Sequence, residues 1–429
     1  MAEHLNILYI HSHDTGRYIE PYGHPVSTPN LQAFAEEGVL FRQAFCANPT
    51  CSPSRSCLLT GQYAHSCEMF GLVNRGFEMP DYGKHIVQLL KRERYHTALS
   101  GIQHEAKSPQ TIGYDQQLGS RPEAHLKAAE FLGQAPAEPF FLSVGFFETH
   151  RQFPELTPDD HPEYTIPPAT FPDTPEVRVD FTRYKKSAAI LDEKVGTVLR
   201  ALDESGLRDR TLVICTTDHG LAFPRMKCNL TDGGIGVMLM MRGPGGFEGG
   251  KTLDAMVSQI DILPTVFELA GIPVPKHAQG LSMLPLVRGE VDAIRKTVFA
   301  EVNFHGANEP ARCIRTTRWK YIRRFYEGYL PSCDGGETRT LWLDSGGDDR
   351  PLPQEMLYDL TLDPCEMNYL VGDPYFAPVL STLQAELDRW MQETDDPVLY
   401  GPLVPPPTHT LPDGPVCVSD AKIPLEVDL

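Results

Sequence analysis

Three strand-length apolar runs, each broken abruptly by ligand-type side chains, constrain this chain more than any other feature. Leu5-Asn6-Ile7-Leu8-Tyr9-Ile10 runs into His11-Ser12-His13-Asp14-Thr15-Gly16. Residues 139–147 (PFFLSVGFF) end in Glu148-Thr149-His150, and residues 211–217 (TLVICTT) end in Asp218-His219-Gly220. Runs without polar alternation fit strands covered on both faces, the habit of parallel sheets. Open α/β sheets carry their sites at the carboxyl ends of such strands. Thr97-Ala98-Leu99-Ser100-Gly101 reads as a further strand, closing in Ile102-Gln103-His104. Between the strands, residues 27–44 read as a capped helix after Pro29 followed by a strand, while 86–92 and 181–204 have helical periodicity. The pattern predicts an α/β fold: a large, mostly parallel mixed sheet sandwiched by helices.

A second stretch, Asn48 to Tyr63, carries the nucleophile candidate. Cys51 precedes Pro53 and small residues suited to a first helical turn, Leu58 and Leu59 supply an apolar face, and Gly61 sits where the helix would end. A cysteine at a helix N-terminus meets unpaired N–H groups and the positive end of the dipole, so an anion is welcome beside it. Arg55, one turn on, can add a planar fork of donors at the same spot.

Cys51-Ser52-Pro53-Ser54-Arg55 with Leu58-Leu59-Thr60-Gly61-Gln62 resembles the signature of the type I sulfatases of the alkaline phosphatase superfamily. The resemblance implies a maturation enzyme as partner, which oxidises Cys51 to formylglycine. It also implies one divalent cation, Ca2+ first, with Mg2+, Mn2+ or Zn2+ as alternatives. Asp14, Asp218, His219 and position 51 would hold it, joined by His13 where the family usually has a first aspartate. An imidazole at that place makes the donor set less purely calcium-like. His150 matches the histidine that protonates the departing alkoxide, with Thr149 in place of a proline. Lys227, in Lys227-Cys228-Asn229-Leu230, matches the lysine that contacts the sulfate and the bridging oxygen. His104 matches the end of Gly-Lys-Trp-His, but Ile102 replaces the lysine, with Lys107 nearby as a partial substitute.

The implied chemistry is a two-hydroxyl one. One hydroxyl of hydrated formylglycine attacks sulfur, His150 with Lys227 protonates the leaving oxygen, and His104 deprotonates the second hydroxyl so that sulfate is expelled. Arg55 and Lys227 add fixed positive charge. Tyr358-Asp359-Leu360 through Asp363-Pro364 resembles the turn of sulfatase C-terminal subdomains, where His305 and Arg312 are expected to overhang the site and bind substrate. The compact length and His13-Asp14-Thr15-Gly16 resemble the N-sulfoglucosamine sulfohydrolase branch, implying a sulfated sugar, as ester or sulfamate. Two other readings stand beside this one. A phosphonate monoester or phosphodiester hydrolase shares the fold, the formylglycine and an Asp-His metal pair. A non-catalytic binding protein on the same fold would account for the changes at 13 and 102.

A length of 429 residues suits two domains, or one large domain with an appendage. Residues 1–295 are expected to form the catalytic domain. Residues 296–429 would form a smaller unit, with antiparallel strands near 297–302, 313–317, 319–322 and 357–360, a helix at 375–394 and a Pro-rich tail after 400. That tail reads as an extended arm or partner contact and permits a homo-oligomer. With 38 basic against 57 acidic residues the net charge is −19, which argues against a nucleic-acid partner. The start lacks a basic n-region and no 18-residue apolar run occurs, so no membrane span and a cytoplasmic location are expected. Ten scattered cysteines without a CxxC pair are expected to be reduced.

Overall fold

The computed structural model describes residues 5–326, 333–347 and 352–409. Its main sheet has eight strands: β1 (Asn6–Ser12), β2 (Val39–Phe45), β3 (His96–Gly101), β4 (Gln116–Gly119), β5 (Phe140–Gly145), β6 (Thr211–Thr217), β7 (Leu239–Arg242) and β8 (Lys251–Ser258). The spatial order is β4-β3-β5-β1-β6-β7-β2-β8. Only β7 runs against its neighbours. The three apolar runs thus lie side by side as β5, β1 and β6, buried at every position.

Alternation along β1 sends successive residues to opposite faces. Ile7 and Tyr9 join a core with Phe41, Phe141 and Ile214. Leu8 and Ile10 join another with Leu142, Val144 and Val213. The helix α1 (Pro29–Glu37) and the 30-residue helix Pro175–Glu204 cover the second face. The helices α2 (Cys51–Thr60), α3 (Ile86–Arg92) and Ile262–Leu269 cover the first. The long helix starts at Pro175, before the expected 181, because Pro175 and Glu176 form a favourable first turn whose polarity hides it from a search for apolar periodicity.

A second sheet is antiparallel throughout: β9 (Val298–Phe304), β10 (Asn308–Arg315), β11 (Trp319–Arg324) and β12 (Glu355–Asp359), ordered β12-β11-β10-β9. One of its faces, with Ala300, Cys313 and Tyr358, packs into the first core of the main sheet. The other is covered by Leu383, Leu387 and Trp390 of the helix Ala377–Glu393. The tail then returns to the main domain, where the Thr408 hydroxyl donates to the Gly76 carbonyl at 3.1 Å. The part of the expected arm beyond 409 lies outside the described residues. Among the described residues no helix is long and apolar enough to cross a membrane, and the nine described cysteines are free thiols.

Candidate active site

The register of β1 against β6 pairs Ser12 with Thr217, so the chain leaves both strands at one place. Asp14 turns out of β1 in the left-handed region, φ 52°, a conformation Asp tolerates better than most residues. There the Asp14 amide donates to Asp218 Oδ1 at 2.9 Å. Beyond His219 the backbone passes so close to Gly233 that a Cβ at Gly220 would meet its carbonyl oxygen at 1.8 Å; glycine is obligatory there. Helix α2 starts at Cys51 and is pinned against β6, with the Ser54 hydroxyl donating to the Asp218 carbonyl at 2.6 Å. Gln259 locks the same strand end by donating to Thr216 Oγ1 and the Thr217 carbonyl. Gly61, at φ 67°, closes α2 as expected.

These anchors bring Cys51, His13, Asp14, Asp218 and His219 together. All are buried. Ligand atoms of His13, Asp14, Cys51 and Asp218 lie within 4.8 Å of one another. The His219 Nδ1–H donates to the Gly220 carbonyl at 3.0 Å, which leaves the Nε2 lone pair facing Cys51 Sγ at 3.2 Å, Asp14 Oδ1 at 3.4 Å and Asp218 Oδ2 at 3.6 Å. Fixing one imidazole nitrogen on a carbonyl so that the other faces inward is how proteins prepare a metal-binding histidine. Asp14 Oδ1 and His13 Nε2 are buried without a hydrogen-bond partner. Such stranded acceptors are costly unless something cationic meets them. Burial, reinforced by the Arg55 charge, holds His13 well below the ordinary histidine range, so it stands as neutral imidazole, the form that ligates. The residues present therefore fit a divalent cation held by two carboxylates and two imidazoles.

Cationic side chains ring this cluster. Arg55 donates through Nη2 to Asp218 Oδ2 at 3.0 Å and to the Ser12 carbonyl at 2.7 Å, and through Nη1 to His11 Nδ1. The buried Lys227 ammonium donates to Asp14 Oδ2 at 2.9 Å, to Asp334 Oδ2 at 2.7 Å and to His150 Nε2 at 3.3 Å. Burial works against its charge, but Asp14 and Asp334 outweigh it and hold the lysine well above its usual range. His104 approaches His13 with ring centroids 6.0 Å apart; both its nitrogens are buried and unpartnered. Burial first, then Arg55 and His150, push His104 down to about 3. Burial likewise drives the Cys51 thiol well above its ordinary value. As a plain cysteine, position 51 would be an uncharged and weak nucleophile.

The sulfatase family profile matches residues 5–272, a span that includes the whole main sheet. The chain belongs to the sulfatase family. It is a sulfuric ester hydrolase on the large mixed sheet and small antiparallel sheet that family members carry. A profile described as N-sulphoglucosamine sulphohydrolase, C-terminal, matches residues 225–330. The chain is 28% identical over 442 aligned residues to N-sulphoglucosamine sulphohydrolase of Homo sapiens, covering 88% of each. Among solved structures it shares its fold with a 2-O GAG sulfatase at a TM-score of 0.72 and 20% identity, covering 93% of this chain and 94% of that one. It also shares it with phosphonate monoester hydrolase of Agrobacterium radiobacter, at 0.71 and 19%, covering 94% and 100%.

Two expectations for this sulfatase need correction. Arg312 is not at the site: it is fully buried on β10, with Nη2 donating to Asp396 Oδ1 at 2.8 Å and Nη1 to Asn303 Oδ1 at 2.8 Å. A planar fork with carboxylate and amide acceptors to hand makes a structural clamp, and no donor is left for substrate. Lys107 does not replace the lysine missing at 102; its ammonium is exposed and pairs with Glu78 at 3.3 Å. His305 does arrive, buried and within the fields of Lys227, Asp334 and His219. Asp334 went unread in the sequence because a lone Asp after Cys333 carries no local signal. His11 had one: it is a polar residue inside an otherwise apolar strand.

Proposed function

We propose that this sulfatase removes sulfate from a sulfated sugar, with Cys51 oxidised to formylglycine and a divalent cation held by His13, Asp14, Asp218 and His219. The observation that carries the reading is the meeting of position 51 with those four side chains at the ends of two adjacent strands. The cation would supply charge neutralisation for the sulfate oxygens and lower the pKa of the attacking hydroxyl. The formylglycine hydrate would supply two hydroxyls on one carbon, one to attack and one to lose a proton.

The chain's own residues do the rest. Arg55, fixed by Asp218, the Ser12 carbonyl and His11, holds a planar cation at the ends of β1 and β6 that does not reorganise with the solvent. His150 presents Nε2 beside the Lys227 ammonium, and that nitrogen, when protonated, can pass its proton to the leaving oxygen while Lys227 stays charged. His104, its ring centroid 6.0 Å from that of His13, stands neutral and can accept a proton. A bound sulfate raises its basicity by placing negative charge beside it. Calcium is the cation proposed, from the family habit, with His13 as the feature that would admit a softer ion. Metal analysis of purified protein decides between them.

Mass spectrometry of the Cys51 peptide, from protein made with a maturation enzyme present, tests the modification directly. The expected mass is that of CH2SH replaced by CHO, and an unmodified thiol would remove the mechanism. A panel of sugar sulfates and sulfamates tests the substrate class. Because phosphonate monoester hydrolase has the same fold, an aryl sulfate and an aryl phosphonate are compared on one preparation. A dominant phosphonate rate would reverse the reading.

A further inference from the structure

Beyond the sulfate pocket lies a second group of polar side chains with unspent hydrogen-bonding capacity. The turn Val73–Arg75 is fastened to the nucleophile helix, the Val73 amide donating to Ser52 Oγ at 3.2 Å. It is fastened on its other side to the end of β9. The Phe304 amide donates to the Phe70 carbonyl at 3.0 Å, and Phe77 packs on Phe304 with ring centroids 5.1 Å apart. The turn that carries Arg75 is thus held between Ser52 and Phe304, the residue before His305. Arg75 is 7% exposed, and its Nη1 is buried without a hydrogen-bond partner. Nδ1 of His305, a residue 4% exposed, is equally unpartnered. Asp334, the acidic group whose field reaches both, is already engaged by Lys227 at 2.7 Å.

A nearly buried guanidinium with an idle donor is an expensive arrangement. It is explained if a ligand brings the acceptor. We propose that Arg75, with His305 beside it, binds a second oxyanion of the substrate, a carboxylate or another sulfate on the sugar whose scissile sulfate lies against position 51. This rests on the sulfated-sugar reading and narrows it to sugars bearing two acidic groups. Asp334 sits on the Lys227 and His150 side, where an acceptor suits a sugar hydroxyl or amine.

Binding is measured by calorimetry on full-length Ca2+-loaded Cys51→Ala protein, which cannot turn over. The probes are glucosamine 6-sulfate, N-sulfoglucosamine, glucosamine 2-N,6-O-disulfate and an N-sulfoglucosamine–glucuronate disaccharide. The disulfate or the disaccharide should bind about tenfold or more tightly than the better monosulfate, as a charge-assisted bond allows. Whichever does so identifies the source of the oxyanion. Adding Arg75→Gln should erase that advantage without a matching loss for the monosulfates, and Arg75→Lys should recover part of it. Equal affinities for singly and doubly charged probes overturn the proposal and need no variant that might fold poorly. So does an equal loss for both kinds in Arg75→Gln. If no probe binds, the sulfated-sugar reading falls as well, which separates the two failures.

Discussion

The Lys227 ammonium is shared among Asp14, Asp334 and His150, so His150, the proposed proton donor to the leaving oxygen, stands beside a fixed cation. Removing the donor should hurt most where the leaving group is most basic. His150→Ala is expected to lower kcat on a sugar sulfate by about 10²–10⁴, and to cost much less on 4-nitrophenyl sulfate, whose phenolate leaves without help. Equal losses on both would assign His150 a structural place. His13→Asp restores an all-oxygen pair at the end of β1 and should shift metal preference towards Ca2+ and away from Zn2+, read by competition with a chelator. Position 13 was legible because it interrupts an apolar run, as Asp14, Asp218 and His219 also do. Arg75 and Asp334 have no such frame; their neighbours come from distant segments, and nothing in local composition announces an idle donor or a carboxylate facing a lysine.

Among the elements, the apolar strands announced themselves by their unbroken runs, yet the fastening of α1 did not. Thr28 makes no side-chain cap. The job falls to Asp192 of the long helix, whose Oδ1 accepts from the Leu31 amide at 2.8 Å while Oδ2 accepts from the Asn30 amide at 3.1 Å and its side-chain Nδ2 at 2.7 Å. A cap from a residue so far along the chain leaves no trace in the local sequence. Asp192→Ala should cost about 2–3 kcal/mol in urea unfolding, and Asp192→Asn less. Helix α3 shows a pH-dependent cap instead. His85, fully buried, accepts from the Val87 amide through Nδ1 at 3.3 Å, and burial pushes it from 6.5 down to about 3. The folded pKa lies below the unfolded one, so the unfolded chain binds the extra proton. Stability from this group is full above pH 6.5 and is lost as pH falls towards 3. His85→Asn keeps an acceptor and removes the titration, so its unfolding midpoint should decline less than that of the natural protein between pH 7 and 4.

For the whole molecule, the decisive contact is the one that the sequence led us to place at the substrate. Arg312 on β10 grips Asp396, which follows the last long helix, and stands 3.6 Å from Glu301 on β9. Glu301 in turn accepts from the amide and the Nδ1–H of His65, at 3.0 and 2.8 Å, a few residues beyond the nucleophile helix. One fully buried cation thus ties the small sheet, the C-terminal helix and the segment after α2 to one another. An Arg near an expected overhang looks like a substrate ligand only while its partners, one of them 84 residues away, are out of view. Taking the cation away leaves Glu301 and Asp396 buried with charge uncompensated, so Arg312→Met should destabilise by about 3–5 kcal/mol. Arg312→Lys keeps the charge but cannot fork between acceptors, and should fall between the two. The lysine variant also separates the roles. As a clamp, position 312 lowers the unfolding midpoint of Arg312→Lys while KM for the sugar sulfate stays within about twofold at temperatures where the protein is folded, a change under 0.5 kcal/mol. As a substrate ligand it would do the reverse, raising KM and leaving the midpoint where it was.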